Sequence, residues 1–411
     1  MKKKHITFRV PTHKFFIVIF AVFLYGGLFA SLYFNTSLYS IGENTNNDRF
    51  FSMDESYYVT KIYSVEHEQT TRIVKHPLFM TGANLFSKAE RLIFGEISVR
   101  HHYRNIILTQ IALMLISLIF LIKILDEQYH LRFVEILPLS LIYILSNSLL
   151  IFTLIAESYI WSAAALVMFL YYLNKKKYAA VTVLFAVCTG ITVTNAMICV
   201  LLLFFAGIPL KKKLITAFLS VLLFSALVVI TPAREIFFEN LTGVFVSSPR
   251  NYRDHFSFVE VLVRGIFAIF GSPLFYLDTE RISPFGDFPG RAISFSPNSD
   301  GITLIFILLW IAILVFAIIT AKKTAFLYLP VIALFCSIFL HGVLQYGLKE
   351  GFLYSLHHLF AQILIAAGLF CGKSRFPKNL AVIALYVIVA GELFLNTRGL
   401  IELYGYIKAV W

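Results

Sequence analysis

Three carboxylates are the residues of this chain best suited to catalysis. Asp54 and Glu55 lie among aromatic residues after the first apolar segment, and Glu157 lies where one long apolar run passes into the next. A carboxylate held beside a membrane can act as a general base on a hydroxyl. An ionisable group between apolar segments is costly unless it faces protein or a wet cavity. We therefore predict catalytic roles for all three. The alternatives are that Asp54 and Glu55 only solvate a loop and that Glu157 marks the water boundary.

Several other polar side chains are candidates for binding a substrate. His76 precedes Pro77, which holds the preceding residue in an extended conformation and so fixes the direction of the imidazole. Residues 345–358 combine a cation, a carboxylate, phenols and imidazoles, and such donors suit the phosphate of a lipid carrier. The substrate contacts predicted from this stretch are Lys349, Glu350, Tyr354 and His357. No acidic partner stands at metal-ligand spacing from the histidines. We therefore predict no metal ligand and no definite cofactor, and leave a divalent metal open.

The composition places these residues in a membrane protein. Of 411 residues, 59% are hydrophobic and 14% are charged, whereas a soluble surface needs more charge. The net charge of +12 could indicate nucleic acid, but the lysines form short clusters between apolar runs instead of one basic face. We therefore predict membrane lipid as a partner and no nucleic acid. The four cysteines fall in or beside apolar runs and are predicted to be buried thiols.

Apolar runs of membrane-crossing length recur along the chain. A crossing helix needs about 20 mostly apolar residues, and a helix satisfies its own backbone groups in lipid. The sequence therefore predicts an all-α polytopic membrane protein, a single transmembrane domain over residues 1–411 with about eleven transmembrane helices. The predicted spans are Phe15–Tyr33, Asn105–Leu125, Val134–Ile155, Tyr159–Leu173, Tyr178–Val193, Ala196–Pro209, Leu214–Ile230, Gly301–Thr320, Phe326–Leu344, Leu359–Phe370 and Leu380–Leu395.

Lysine and arginine clusters fall on alternate connections between these spans, which predicts a cytoplasmic N-terminus. Two long connections, residues 35–104 and 231–300, then lie on the outer side. Tyr57–Val65 and Ala89–His102 are predicted to form interfacial helices there, because apolar and charged residues alternate at helical spacing. Phe258–Leu277 contains charged residues and a Gly-Ser-Pro break, so we predict an interfacial or re-entrant helix in place of a further span.

The motifs of the first half resemble those of the GT-C superfamily, integral-membrane glycosyltransferases that take sugars from polyprenyl-phosphate carriers. The matching parts are Asp54-Glu55-Ser56-Tyr57, His76-Pro77-Leu78, Ala156-Glu157-Ser158-Tyr159 and Thr194-Asn195. The topology matches over roughly the first half and only loosely beyond it. The resemblance implies a catalytic carboxylate at Asp54, with Asp48 as the reserve position, and adds Tyr159 and Asn195 to the substrate-binding candidates.

The resemblance also implies a reaction and its partners. An acceptor hydroxyl would attack the anomeric carbon of a polyprenyl-phosphate-linked sugar, and the lipid phosphate would leave. The acceptor would be a glycan or a lipid-linked acceptor, as in the modification of O-antigen or a similar envelope polysaccharide. Basic short loops are typical of a bacterial inner membrane, with the site on the periplasmic face.

Three other functions remain open on the sequence alone. A polysaccharide polymerase would depend on outer-loop arginines, here Arg250, Arg253 and Arg291. A lipid-linked glycan transporter would more often show inverted repeats and broken segments at the middle of the membrane. A membrane acyltransferase could use His76 or His357, although neither has an acidic neighbour in the sequence.

Overall fold

Helices dominate the structure, which is a computed structural model. It describes residues 12–40, 57–64, 74–231, 234–239, 255–282, 292–296, 300–321, 325–371 and 377–410. Within these ranges, five helices are long and apolar enough to cross a membrane, and a pair bent by 53° at residue 358 makes up to six. An antiparallel hairpin pairs Thr279–Ile282 (β1) with Ala292–Phe295 (β2).

The helices follow the apolar runs of the sequence. In chain order they are α1 (Thr12–Asn35), α2 (Pro77–Phe94), α3 (Val99–Glu127), α4 (Phe133–Leu145), α5 (Asn147–Phe152), α6 (Tyr159–Asn174), α7 (Tyr178–Ile191), α8 (Asn195–Phe205), α9 (Leu210–Val229), α10 (Phe258–Ile266), α11 (Gly301–Thr320), α12 (Ala325–Ser337), α13 (Leu359–Ala367) and α14 (Lys378–Val410). Shorter helical turns cover Leu38–Ser40, Tyr58–Ile62, Phe267–Gly271, Ile338–Val343, Leu348–His357 and Gly368–Phe370.

Each of the eleven predicted spans coincides with one of these helices or with a broken pair of them. Among the helices that the structure describes, only α1, α3, α9, α11 and α14 reach crossing length on their own. The predicted span Val134–Ile155 is divided at Ser146 into α4 and α5, and α12 passes at residue 338 into a wider helical turn. Apolar length therefore located the helices correctly, and the number that cross a membrane stays a prediction.

One end of the helix bundle, here called the basic end, is held together by ion pairs between distant connections. Lys14 at the start of α1 pairs with Asp126 at the end of α3, and Lys175 at the end of α6 lies 2.7 Å from Glu127. Lys378 at the start of α14 lies 3.8 Å from Glu135 at the start of α4. These connections are among those that the alternating pattern of basic residues places on one side.

The predicted interfacial helix Ala89–His102 is wrong as a single helix. The structure ends α2 at Phe94, and Gly95 adopts a φ of 73°, which favours glycine. Ser98 then caps α3, because its hydroxyl accepts a hydrogen bond from the backbone N–H of His101. As a result α3 begins at Val99, before the predicted start of the span at Asn105.

Residues 258–277 combine an exposed helix with a buried turn. On α10 the side chain of Phe258 is 82% exposed, as expected of an apolar helix face that meets lipid. The chain then turns into the interior of the helix bundle. There the Leu274 carbonyl accepts a hydrogen bond from the backbone N–H of Asn147, and the Pro273 carbonyl accepts one from the backbone N–H of Ser148. The chain therefore turns back into the helix bundle after α10, and its placement relative to a membrane stays a prediction.

Asn396 on α14 joins this buried turn to the break between α4 and α5. Its amide nitrogen donates to the carbonyls of Leu145 and Leu274, each at 2.7 Å, and its oxygen accepts from the Tyr276 amide at 2.6 Å. The Leu145 carbonyl has no hydrogen-bond donor within α4, because the helix ends at this residue. One side chain therefore satisfies backbone groups in two irregular segments.

Replacing Asn396 with alanine is expected to lower the free energy of unfolding by about 3 kcal/mol, because the Leu145 carbonyl and the Tyr276 amide lose this partner while buried. Unfolding in detergent, followed by circular dichroism, measures the change. Asn174→Ala is the control, since the Asn174 amide makes one partly buried bond to Gln128. Equal losses in the two variants would contradict the role assigned to Asn396.

Candidate functional site

Glu157 lies in the short connection between α5 and α6, and its side chain is only 3% exposed. The amide nitrogen of Gln110 on α3 fixes this connection by donating to the carbonyls of Phe152 and Ile155, at 2.8 and 2.9 Å. The Tyr103 hydroxyl accepts from the Ala156 amide. Glu157 itself accepts from the Ser158 amide at 3.1 Å. The backbone around the carboxylate is therefore held from α3.

Tyr58 brings the first long connection to this carboxylate. Its buried hydroxyl lies 3.2 Å from the Ser158 hydroxyl and also forms a hydrogen bond with the Glu157 carboxyl. Burial, and then the charge of Glu157, raise the pKa of Tyr58 well above its ordinary value. The phenol is therefore a neutral hydrogen-bonding group at physiological pH, and it links residues about 100 positions apart in the chain.

The segment that carries Tyr58 is fixed by α2 and α3. The Asn84 amide donates to the Ser64 carbonyl at 2.7 Å, and the Ser87 hydroxyl donates to the Tyr63 carbonyl at 2.8 Å. The Nε2 atom of His102 contacts the same Tyr63 carbonyl at 2.7 Å, and its Nδ1 atom contacts the Glu90 carboxylate. These anchors explain how the loop segment 57–64 stays packed against the helices.

A row of hydrogen bonds connects His76 with Asn195 along the start of α6. The His76 Nδ1 atom lies 2.8 Å from the Ile191 carbonyl, which can only accept, so Nδ1 carries a proton. Nδ1 also lies 3.3 Å from the Thr192 hydroxyl, which is 3.4 Å from the Ser162 hydroxyl. The Asn195 amide donates to Ser162 at 3.0 Å. Both predicted residues therefore belong to one network.

Phe79 on α2 packs between this row and Tyr58. Its ring centroid lies 5.8 Å from those of Tyr58 and Trp161 and 6.4 Å from that of His76. Behind it, Gly190 on α7 lies so close to Leu78 that an added Cβ would come within 2.3 Å of the leucine side chain. Because Gly190 has no side chain, Leu78 can pack directly against α7, and this contact holds the His76-Pro77-Leu78 stretch in place.

The segment Leu348–His357 covers the other side of Tyr159. The Tyr159 ring lies 5.9 Å from His357 and 6.2 Å from Tyr354 between centroids, and Phe352 stacks on Phe152 at 4.9 Å. His357 is within electrostatic range of His76, and Glu350 is within range of Tyr159. The Nε2 atom of His357 is buried without a hydrogen-bond partner among the described residues.

The structure therefore gathers most of the predicted site residues at the opposite end of α6 from Lys175 and the basic end. Those found together are Glu157, Tyr159, His76, Asn195, Glu350, Tyr354 and His357. The side chain of Lys349 lies outside the part of the chain that the structure describes, as do Asp48, Asp54, Glu55 and the three arginines Arg250, Arg253 and Arg291.

Two features of this cluster were absent from the sequence prediction. Tyr58 and Ser162 are not among the predicted site residues. Ser158 and Ser162 are four residues apart and so share one face of α6 where it begins. This four-residue spacing, directly after Glu157, is the sequence feature that could have indicated the two hydroxyls as part of the site.

Two cavities stand out in the described ranges. One opens between α2 and α3 beside Glu90, Asn105 and Thr109, and the other lies beside Arg264, Phe295 and Phe352. Neither is lined by Glu157. Within the described ranges, no group of three or more histidine, cysteine, aspartate or glutamate side chains is arranged to hold a metal ion.

The cluster combines two carboxylates, phenols, hydroxyls, an amide and imidazoles, and aromatic rings pack against them. Such a set can exchange several hydrogen bonds with a polyhydroxylated ligand. No family model, curated protein or solved structure matches the chain. Fold and site thus define a helical protein with several helices long and apolar enough to cross a membrane and a buried polar cluster at one end.

Proposed function

We propose that the chain is a membrane-embedded glycosyltransferase that moves a sugar from a polyprenyl-phosphate carrier to an acceptor hydroxyl. The observation that supports the proposal is the meeting of Tyr58, Glu157 and His357, which come from three distant parts of the chain, in one polar cluster. Tyr58 directly follows one of the motifs that resemble the GT-C superfamily, and Glu157 lies within another. His357 belongs to residues 345–358, the stretch predicted to bind the phosphate of the lipid carrier.

The proposed base, Asp54, is four residues before Tyr58 in the chain. Four residues of extended chain span at most about 14 Å, so the hydrogen bond between Tyr58 and Ser158 limits how far the base can lie from Glu157. Asp54 would take the proton of the acceptor hydroxyl as its oxygen bonds to the anomeric carbon. The bond from that carbon to the phosphate oxygen breaks, and the phosphate leaves with the electron pair.

Glu157 and the donors of Leu348–His357 have different roles in this proposal. Glu157 holds the Tyr58 hydroxyl and Ser158, and so positions the segment that follows Asp54. Lys349 and His357 are the proposed donors to the leaving phosphate, where negative charge develops. Glu55 assists as a second carboxylate of the same loop. His76, Tyr159, Asn195, Glu350 and Tyr354 would bind the sugar or acceptor, with Asp48 as the reserve base.

The proposed topology has about eleven transmembrane helices, a cytoplasmic N-terminus and a periplasmic site in a bacterial inner membrane. Its support is the set of ion pairs at the basic end. They join the start of α1 and the end of α6 to the end of α3, and the start of α14 to the start of α4. Residues 35–104 and 231–300 would then form the two outer loops.

Purified protein tested with a panel of polyprenyl-phosphate sugars and candidate glycan acceptors should yield a glycosylated acceptor and free lipid phosphate. A polymerase would instead extend lipid-linked repeat units, and a transporter would move them across sealed vesicles unchanged. Chain extension or transport without transfer would contradict the proposal. A product detected only with one carrier-linked sugar would identify the donor.

A further inference from the structure

Glu392 is an acidic residue near the middle of α14, in the interior of the helix bundle. Its side chain is fully buried, and neither carboxyl oxygen has a hydrogen-bond partner within the described part of the chain. It lies on the buried stripe of α14 formed by Ala381, Leu385, Ile388 and Leu395. An ionisable residue at such a position in a crossing helix is rare and costly, and is by default a functional candidate.

The position along α14 separates Glu392 from both charged ends. Glu392 follows Lys378 by 14 residues, which corresponds to about 21 Å of helix. Arg398 lies six residues further on and already pairs with Asp300 and Glu402. Lys378 is likewise paired with Glu135. Lys408, the third cation of α14, lies 16 residues beyond Glu392, which corresponds to about 24 Å of helix. No cation of this helix is therefore available to neutralise the Glu392 carboxyl.

The neighbouring elements offer hydroxyls at the level of Glu392. The cation of α1, Lys14, lies 11 residues before Tyr25 and pairs with Asp126 at the basic end. Tyr25 on α1 is within electrostatic range of Glu392, and its hydroxyl donates to the Ile144 carbonyl at 2.8 Å. Tyr143 on α4 lies 2.6 Å from the Ser117 hydroxyl. α4 and α11 pack along α14, and the only charged residue of α4 and α11 is Glu135, which lies at the basic end.

A carboxylate in this setting would have lost its hydration without gaining a cation or a donor in exchange. The protonated acid avoids most of that cost, because it is neutral and can donate its own hydrogen bond. We propose that Glu392 is a buried proton-binding site of the bundle, which holds its proton in the folded protein and releases it when the contacts among α1, α4 and α14 open to water. This proposal does not rest on the proposed glycosyl transfer.

Infrared spectroscopy of the protein in lipid nanodiscs tests the protonation state directly. At neutral pH the wild type should show the carbonyl stretching band of a protonated carboxylic acid, and Glu392→Gln should lack it. Glu157→Gln should keep the band, which separates the two buried carboxyls. Glu392→Asp retains an acid in a slightly different position, so a shifted band identifies the residue even if the glutamine variant folds poorly. Spectra without any such band would overturn the proposal.

The pH dependence of stability gives a second, independent test. Unfolding exposes the carboxyl to water, where it ionises, so the wild type should release one proton more on unfolding than Glu392→Gln. Between about pH 6 and 8 its unfolding constant should therefore rise about tenfold per pH unit relative to that of the variant. Glu402→Gln is the control on the same helix, because Glu402 is exposed and should leave the slope unchanged. Equal slopes in wild type and Glu392→Gln would overturn the proposal.

Discussion

Replacing Asp54 with asparagine should lower sugar transfer about 10²- to 10⁴-fold, the usual contribution of a positioned general base. The amide keeps the size of the side chain but cannot accept the proton of the acceptor hydroxyl. The measurement is the rate of transfer by purified protein under saturating donor and acceptor. Unfolding in detergent, compared with the wild type, confirms that the variant is folded.

Asp48→Asn and Glu55→Gln are the matched controls for this result. They remove a carboxylate from the same loop, six residues before Asp54 and one residue after it. We expect near wild-type transfer from Asp48→Asn and a smaller loss from Glu55→Gln than from Asp54→Asn. A large loss in Asp48→Asn with an active Asp54→Asn would move the base to Asp48. Wild-type rates in all three variants would show that none of these three carboxylates is the catalytic base.

Replacing Glu157 with glutamine should reduce turnover about 10²-fold, as expected when a group next to the reacting centre loses its position. The amide no longer holds the Tyr58 phenol by a charge-assisted hydrogen bond. Because Glu157 acts through Tyr58, Tyr58→Phe should cause a similar loss, and the double variant should lose less than the product of the two. A double-mutant cycle should therefore give a coupling energy of about 0.5–3 kcal/mol.

Tyr39→Phe provides a control for that cycle. Tyr39 is another buried tyrosine of the same region, and its hydroxyl donates to the Leu154 carbonyl at 3.0 Å. Its replacement should lower stability without coupling to Glu157→Gln in turnover. Unchanged turnover in a folded Glu157→Gln protein would reduce Glu157 to a residue at the water boundary.

The helices of this protein were predictable because apolar length is a local property of the chain. Their interruptions were not predictable in the same way, because the residues that stabilise them are remote. The break after Leu145 depends on Asn396 and the adjacent Ile144 carbonyl is satisfied by Tyr25. Neither partner can be identified from the sequence around Ser146.

The same distinction applies to the candidate site. Glu157 could be singled out because a carboxylate between apolar runs needs a reason to be there. Its contact with Tyr58, in contrast, depends on how α2 and α3 hold the segment 57–64, and the spacing of motifs along the chain carries no such information. The resemblance to glycosyltransferases grouped His76, Glu157 and Asn195 together, and the hydrogen bonds of Ser162 and Thr192 show how His76 and Asn195 are joined.

The contact between Phe79 and Trp161 gives the candidate site an intrinsic fluorophore. The chain has three tryptophans. Trp310 is buried on α11 with its indole bonded to Gln362 at 2.6 Å, so its emission should respond little to events at the cluster. Trp161 lies 5.8 Å from Phe79, which also contacts Tyr58 and His76. A change in the intensity or the emission maximum of Trp161 fluorescence can therefore report ligand binding at the cluster in real time, before any product is formed.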